Sequence, residues 1–352
     1  MIKKFLEFLE NIKQKDKTAI IYHTDADGVC SAAITSLALK RLDLTVTCAF
    51  SQKSGQITIT KDTVNYLKKN NITKVIILDL SVDSNPDTIK NLELFADVLI
   101  IDHHITSNDL NTKKTVMIKS QDISDIDPSQ YCTSKLIYDL FLQKIDIKDL
   151  NWISSIGIIG DFGIKTWKTF LEYAANNNPD SLKNLFDAEE FITYAVMCDG
   201  TKGLNLSYDT LLSAKDARDV IKSLEKYNKV RNEIDSYVTS AEKNAIHKND
   251  LNLVYYEIKP IYNIKSKVSN ILSSKTYPKK IIIVVQLDKS RNTISARNQT
   301  GSVSMNDLMR ECTKDLDDAN GGGHIPAAGG SIRKQDKDKF KENVIEFLKK
   351  EK

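Results

Sequence analysis

Within AIIYHTDADG, His23, Asp25 and Asp27 stand two residues apart directly after an apolar β-branched run. If the chain stays extended there, the period of two places all three side chains on one face. An imidazole with two carboxylates suits manganese, magnesium or zinc; the plainer alternative is a strand end and helix cap, with Gly28 giving the turn. Asp79 closes the apolar run VIIL, and Asp102, His103 and His104 close another, VLII. The chain has five histidines, so two side by side at a strand end concentrate its imidazole in one place. Asp161, in GIIGDFG, follows a further apolar run bounded by glycines. Singly, each of these is also an ordinary cap or loop residue. Together, Asp25, Asp27, Asp79 and Asp161 at strand ends in one crevice would repel strongly if dehydrated. Two divalent cations would cancel those charges, with His23 and His103 as neutral nitrogen ligands, and two metals about 3.5–4 Å apart can activate a water and clamp a phosphoryl oxygen.

Bringing such distant residues to one edge requires a particular set of elements. The first half alternates short apolar runs with helix-period segments: TAIIYH, CSAAITSLALKRL, VTCAF, DTVNYLKKN, KVIILDL, DTIKNLELF and DVLIID. This alternation predicts an α/β fold with a mainly parallel sheet flanked by helices. In open sheets of that kind the site lies beyond the carboxyl ends of the strands. From about Leu136 to Ala245 the pattern is mainly helical and ends in a charged stretch that reads as a solvated connecting helix. A second set of strands, LNLVYYEI, KKIIIVVQLD and NTISARN, precedes a helix around MNDLMREC, the loop NGGGHIPAAGG and a closing helix, DKDKFKENVIEFLKK. The expected organisation is a catalytic domain over 1–195, a helical linker over 196–248 and a smaller α/β domain over 249–352.

Length and composition agree with two domains. The chain has 352 residues, and a domain usually takes about 100–200. A formal charge of +3 leaves any affinity for polyanions to local basic clusters. Five scattered cysteines without a CxxC pair favour free thiols in a reducing cytoplasm over a disulfide framework or zinc site. The opening MIKKFLEFLENIKQ interrupts its apolar residues with charge and reads as an amphipathic helix rather than a signal peptide. No apolar run approaches the roughly 18 residues of a membrane span, so a cytoplasmic protein with no membrane partner is expected.

Taken in order, YHTDADG, LDLS, IDHH and GIIGDFG, followed by GGGHIPAAGG, resemble the motifs of the DHH phosphoesterase superfamily with its associated C-terminal domain, in the branch of RecJ-like exonucleases and oligoribonucleases. The resemblance spans nearly the whole chain. It implies two divalent cations, manganese first and magnesium as the alternative. His23, Asp25 and a bridging Asp79 would hold one, and Asp27, Asp79, His103 and Asp161 the other. It also implies catalytic work for His104, facing the scissile phosphate, and for Asp102, orienting the neighbouring imidazoles. Asp161 is the carboxylate whose surroundings vary most across the branches. In the second domain, Arg297 in TISARN resembles the phosphate-binding arginine of the family.

The loop also has a reading of its own. Gly321, Gly322 and Gly323 would let backbone amides approach a phosphate, a helix start beyond would favour the anion, and His324 could bond a phosphate or base. Arg297 is otherwise a strand-surface charge. Lys265, Lys267, Lys275, Lys279 and Lys280 beside Tyr262 and Tyr277 could track a nucleic-acid backbone, although solvated surface is the commoner role of such lysines. Trp152 and Trp167 read as core.

The leading expectation is therefore a manganese-dependent exonuclease acting on single-stranded DNA, RNA or short oligonucleotides held in the cleft between domains. A phosphoesterase for very small substrates, such as nanoRNA, phosphoadenosine phosphate or a cyclic dinucleotide, is the first alternative. A catalytically silent replication scaffold is the second, disfavoured by the full set of ligands. Replication or repair proteins are the expected class of partner, without direct sign in the sequence.

Overall fold

The amphipathic opening forms α1 (Ile2–Glu10), which buries Phe5, Phe8 and Leu9. The structure, a computed structural model, describes residues 1–52, 58–176 and 178–351. It consists of two compact units, Met1–Tyr227 and Asn228–Lys352.

In the first unit the alternating pattern becomes β1 (Thr18–Tyr22), α2 (Ala26–Arg41), β2 (Val46–Ser51), α3 (Lys61–Lys69), β3 (Lys74–Leu78), α4 (Pro86–Glu93), β4 (Asp97–Asp102) and β5 (Thr115–Lys119). The strands form a parallel five-stranded sheet in the order β2-β1-β3-β4-β5. Every residue of β1 and β3 is buried, as β-branched runs covered on both faces should be. β5, the segment TVMIK, was not among the strands expected from sequence. The chain runs from β1 outward to β2 and returns past β1 to start β3, so the crevice at the carboxyl ends of β1 and β3 is the topological switch point, where α/β sheets bind ligands.

The helical stretch forms α5 (Thr133–Leu142), α6 (Asn151–Gly160), α7 (Lys168–Ala174), α8 (Pro179–Asp199), α9 (Thr201–Ser213) and α10 (Ala217–Ser223). α5, α6 and α9 pack on α2. Leu204, Leu211 and Val220 are fully buried, so α9 and α10 belong to the first unit rather than to a solvated connection. Of the stretch 196–248 expected as linker, only the part from Asn228 onward lies in the second unit.

The second unit contains α11 (Asn228–Asn244), β6 (Ile246–Lys248), β7 (Leu253–Ile258), α12 (Lys265–Ile271), β8 (Ile281–Gln286), β9 (Arg291–Arg297), α13 (Met305–Thr313), β10 (Asn320–Gly323), β11 (Ala327–Arg333) and α14 (Lys337–Lys350). Its mixed six-stranded sheet has the order β10-β11-β9-β8-β7-β6. Ile283, Val285 and Ile294 of the sheet pack with Met305, Leu308 and Met309 of α13 and Phe340 and Val344 of α14.

NGGGHIPAAGG is a β-hairpin, not a glycine loop leading into a helix. Gly321 pairs with Gly330 and Gly322 with Gly329. A Cβ on Gly321 would lie 2.5 Å from the Met309 carbonyl oxygen, and one on Gly330 would lie 2.7 Å from the Met309 methyl. These two glycines are thus where the hairpin and α13 come too close for a side chain.

Among the described residues no helix is long and apolar enough to cross a membrane.

Candidate metal centre

β1 ends at Tyr22, and the chain does not stay extended through the residues that follow. His23 lies in the connection, Asp25 is the N-cap of α2 and Asp27 sits in its first turn. The three therefore converge through a strand-to-helix turn, not along one face of a strand. Asp25 Oδ1 accepts a hydrogen bond from the Gly28 amide at 2.9 Å, the usual service of an N-cap carboxylate. Asp27 is buried and receives two amides from the start of α5, Thr133 N at 2.8 Å on Oδ2 and Ser134 N at 2.9 Å on Oδ1. Two helix N-termini thus support its negative charge. α6 can close over this junction because residue 157 is glycine: a Cβ there would lie 2.0 Å from Ser134 Oγ and 2.8 Å from Asp27 Oδ1.

Asp79 follows β3 in the left-handed region (φ 59°), which aspartate and asparagine tolerate better than most side chains. Its amide donates to the Ile101 carbonyl at 3.0 Å, and its Oδ1 accepts from Thr133 Oγ1 at 3.2 Å. Asp161 is the C-cap of α6, so the fourth carboxylate comes from a helix end and not from the strand end that its apolar, glycine-bounded flank suggested. Helix and strand both bury such runs, and the run alone cannot separate them.

His103 supplies the sharpest geometric evidence. Its Nδ1 lies 2.9 Å from the Pro128 carbonyl oxygen. A carbonyl can only accept, so Nδ1 carries a hydrogen and donates it there, which leaves Nε2 facing inward. That Nε2 faces Asp161 Oδ2 at 3.2 Å and Asp79 Oδ1 at 3.5 Å. At these distances the imidazole nitrogen and the two carboxylates could share one divalent cation. His23 Nδ1 and Asp161 Oδ2 are buried without a hydrogen-bond partner, although His23 Nδ1 is 2.6 Å from Asp25 Oδ2 and 3.5 Å from Asp79 Oδ2.

The electrostatics point the same way. Burial, joined by the charges of Asp27 and Asp25, pushes Asp79 well above the usual carboxylate range and Asp161 up to about 7. Burial works against a charge on His23, yet Asp25 and Asp79 hold it up to about 11. Without metal the site takes up protons where it lacks positive charge. His23, Asp25 and Asp79 form one group with ligand atoms mutually within 4.8 Å, Asp27, His103 and Asp161 a second, and Asp79, His103 and His104 a third. Oxygen and imidazole donors of this kind fit divalent cations.

Beside this cluster, Asp102 is fully buried at the end of β4. Its Oδ1 accepts from His104 Nδ1 at 2.7 Å and from the His103 amide at 2.9 Å, and its Oδ2 accepts from Lys119 Nζ at 2.5 Å. Burial opposes its charge, but His104 and Lys119 hold it below the usual carboxylate range. Lys119 also bonds Asp83 at 3.1 Å, and Asp83 accepts from the Ser107 amide at 2.6 Å. Asp102 therefore orients the His104 imidazole and anchors the His103 backbone, while the Pro128 carbonyl orients the His103 ring, and Lys119 and Asp83 fix Asp102 and the loop that follows. The hydrogen bond to Asp102 raises the affinity of His104 for a proton. Its side chain is 45% exposed. Sequence reading missed Lys119, Asp83, Thr133 and Ser134. Of these, Thr133 and Ser134, just before the apolar run of α5, carry the signature of a helix start.

In the second unit, Arg297, Gly322 and Gly323 line a cavity of about 490 Å³ together with Lys265. Arg297 Nε donates to Asn270 Oδ1 at 2.6 Å, and Nη1 donates to the Ala296 carbonyl at 2.9 Å. Burial lowers the affinity of both Lys265 and Arg297 for their protons, a cost that an anion in the cavity would relieve. Gly321 backs onto α13, and His324 stands exposed in the hairpin turn, so neither joins the lining.

Residues 17–158 match the family model "DHH family, N-terminal domain", and residues 250–350 match the "DHHA1 domain". Among proteins of curated function, none matches this sequence. Several solved structures share the fold over almost the entire chain. Exonuclease RecJ bound to manganese is 14% identical with a TM-score of 0.68, covering 99% of this chain and 94% of that one. CDC45 from Entamoeba histolytica is 12% identical with a TM-score of 0.61, covering 99% of both. The pGpG-specific phosphodiesterase PggH from Vibrio cholerae is 13% identical with a TM-score of 0.55, covering 96% of this chain and 100% of that one.

Proposed function

The chain belongs to the DHH family, its N-terminal DHH domain joined in sequence to a DHHA1 domain, and from that premise we propose that it is a two-metal phosphodiesterase acting on single-stranded nucleic acid or short oligonucleotides, in the manner of a RecJ-like exonuclease. The observation that carries this reading is the convergence of His23, Asp25, Asp27, Asp79, His103 and Asp161, with His103 Nε2 facing Asp161 at 3.2 Å and Asp79 at 3.5 Å. His23, Asp25 and Asp79 would hold one divalent cation, and Asp27, Asp79, His103 and Asp161 the other, manganese being the first candidate and magnesium the second. Bound there, the pair would supply an activated water and positive charge opposite the phosphoryl oxygens.

The side chains around the cluster have separable tasks. His104 donates one ring hydrogen to Asp102 and leaves Nε2 for the substrate, where its raised proton affinity lets it donate to a phosphoryl or leaving oxygen. Asp102 fixes that tautomer and orientation. Arg297 and Lys265 bind a substrate phosphate in the second unit, Arg297 with the fork that matches phosphate oxygens. Gly322 and Gly323 leave room for it, and His324 at the hairpin turn contacts the terminal nucleotide.

A phosphoesterase for dinucleotides or similarly small substrates is the second reading, supported by the end-to-end likeness to a pGpG-specific phosphodiesterase. A silent scaffold is disfavoured because no ligand is missing from the cluster. Purified full-length chain with manganese, offered long single-stranded DNA and RNA, dinucleotides and phosphoadenosine phosphate, should hydrolyse at least one class and stop when the metal is chelated. Processive release of mononucleotides from long strands supports the exonuclease, and preference for dinucleotides supports the second reading. Failure to hydrolyse any of them with either manganese or magnesium would overturn both.

A further inference from the structure

α6 ends in a Schellman arrangement, in which the Gly163 amide donates to the Ile158 carbonyl at 2.9 Å and the Phe162 amide donates to the Ile159 carbonyl at 3.2 Å. This motif puts one residue in the left-handed region, normally glycine because a Cβ is unfavourable there. Here that residue is Phe162, with φ 60°. Glycines occupy positions 160 and 163 on either side, but not the strained position itself. Phe162 is also 71% exposed, so the strain is not offset by burial. A bulky left-handed residue is a conformational outlier, and strain of this kind gathers at functional sites.

Its location indicates the use. Phe162 directly follows Asp161, whose Oδ2 lies 3.2 Å from His103 Nε2. Ile105, which directly follows His104, is likewise exposed, at 80%. Each apolar side chain thus projects from a loop that contributes to the cluster. The helix cap fixes the Phe162 backbone through its own amide and that of Gly163, and an exposed ring offers a face on which a nucleobase can stack, whatever the base.

We infer that Phe162 is a nucleobase-stacking platform beside the metal centre, seating a base of the substrate next to the phosphate to be cleaved. The inference deepens the phosphodiesterase reading and rests on it. It predicts tolerance of base identity but a need for a base.

The test compares full-length wild type with Phe162→Gly and Phe162→Trp, loaded with manganese. The substrates are a short single-stranded oligonucleotide, the same oligonucleotide with abasic residues at its ends, and bis-p-nitrophenyl phosphate. Phe162→Gly should keep its manganese and melt no lower than wild type, because glycine suits the left-handed position. On the intact oligonucleotide it should lose about tenfold or more in kcat/KM, mainly through KM. Phe162→Trp should recover most of that loss. The abasic oligonucleotide and bis-p-nitrophenyl phosphate should hardly distinguish the three proteins. Equal losses on all substrates, a lower melting temperature or loss of manganese in Phe162→Gly would make Phe162 a structural residue and overturn the inference. Binding of the intact and abasic oligonucleotides, measured by calorimetry with calcium in place of manganese, separates the two claims. If wild type cleaves nothing, the phosphodiesterase reading fails, while a preference for the intact strand that Phe162→Gly abolishes still supports the platform; an unchanged preference overturns it.

Discussion

At Asp79 the backbone and the charge make separate demands, and a substitution must respect the first to test the second. Asparagine tolerates the left-handed φ of 59° and keeps an acceptor for Thr133 while removing the anionic ligand. Asp79→Asn should therefore fold but lose manganese. Its turnover should fall by more than the roughly 10–100-fold typical of losing a partner outside the ligand sphere. Wild-type turnover in the purified variant would reject the cluster as the active site. His103 and His104 should separate in the same assays. His103→Ala should lose metal, whereas His104→Ala should retain it and lose about 10²–10⁴-fold in turnover, the usual contribution of a general acid or base; equal metal loss in both would remove the distinction. The raised pKa of Asp161, about 7 against 3.8 for the free group, carries a definite sign. The folded metal-free chain holds a proton that the unfolded chain has released, so this stabilisation is complete below about pH 4 and is lost as pH rises through about 7. A bound cation removes the repulsion that raised it. The increase in melting temperature on adding manganese should consequently be larger near pH 8 than near pH 6, and an increase independent of pH would contradict this electrostatic account. Residue type and position after apolar runs single out His23, Asp25, Asp27, Asp79 and His103 in the sequence, and the fold brings them together. They do not single out Lys119, because a lysine in sequence carries no mark of being buried.

β1, β3 and β4 could be read from sequence because each holds an apolar run of four residues, whereas β5 holds only Val116, Met117 and Ile118 before a lysine that reads as surface. The hairpin of β10 and β11 was hidden for a different reason. Glycine disfavours strands locally, and only pairing with β9 and contact with α13 make NGGG and AAGG extended. α6 falls within the stretch read as mainly helical, yet Asp161 was counted among the strand ends, because an apolar run with glycines at its ends does not declare its period. Two element-scale tests follow. Lys119→Met would leave Asp83 and Asp102 as buried charges without their cation and should cost about 3–5 kcal/mol in denaturant unfolding; a loss below about 1 kcal/mol would mean that the pair is not buried as described. Gly321→Val should disrupt the second unit, because its Cβ would meet the Met309 carbonyl at 2.5 Å. It should not lower manganese binding, since the metal cluster lies wholly in the first unit.

The whole chain divides its proposed tasks between two units, with the metal cluster before residue 227 and Arg297 and Lys265 after it. The two-domain organisation was legible because strand-rich patterns flank a helical middle, but the boundary was not, since α9 and α10 look amphipathic whether they cover a core or cross solvent. Arg297→Ala should retain metal and lose about 1.5–3 kcal/mol of substrate binding, or roughly ten- to a hundredfold or somewhat more in kcat/KM. The loss should be much smaller on bis-p-nitrophenyl phosphate, and an equal loss on both would give Arg297 a structural role instead. The central claim is that this chain holds a pair of divalent cations in the switch-point crevice, and anomalous diffraction from crystals of the full-length protein grown with manganese tests it most directly. The account predicts two manganese peaks about 3.5–4 Å apart, one within ligand reach of His23 and Asp25, the other within reach of Asp27, His103 and Asp161, with Asp79 between them. No peak there, or a single peak that Asp79 does not ligate, would contradict it.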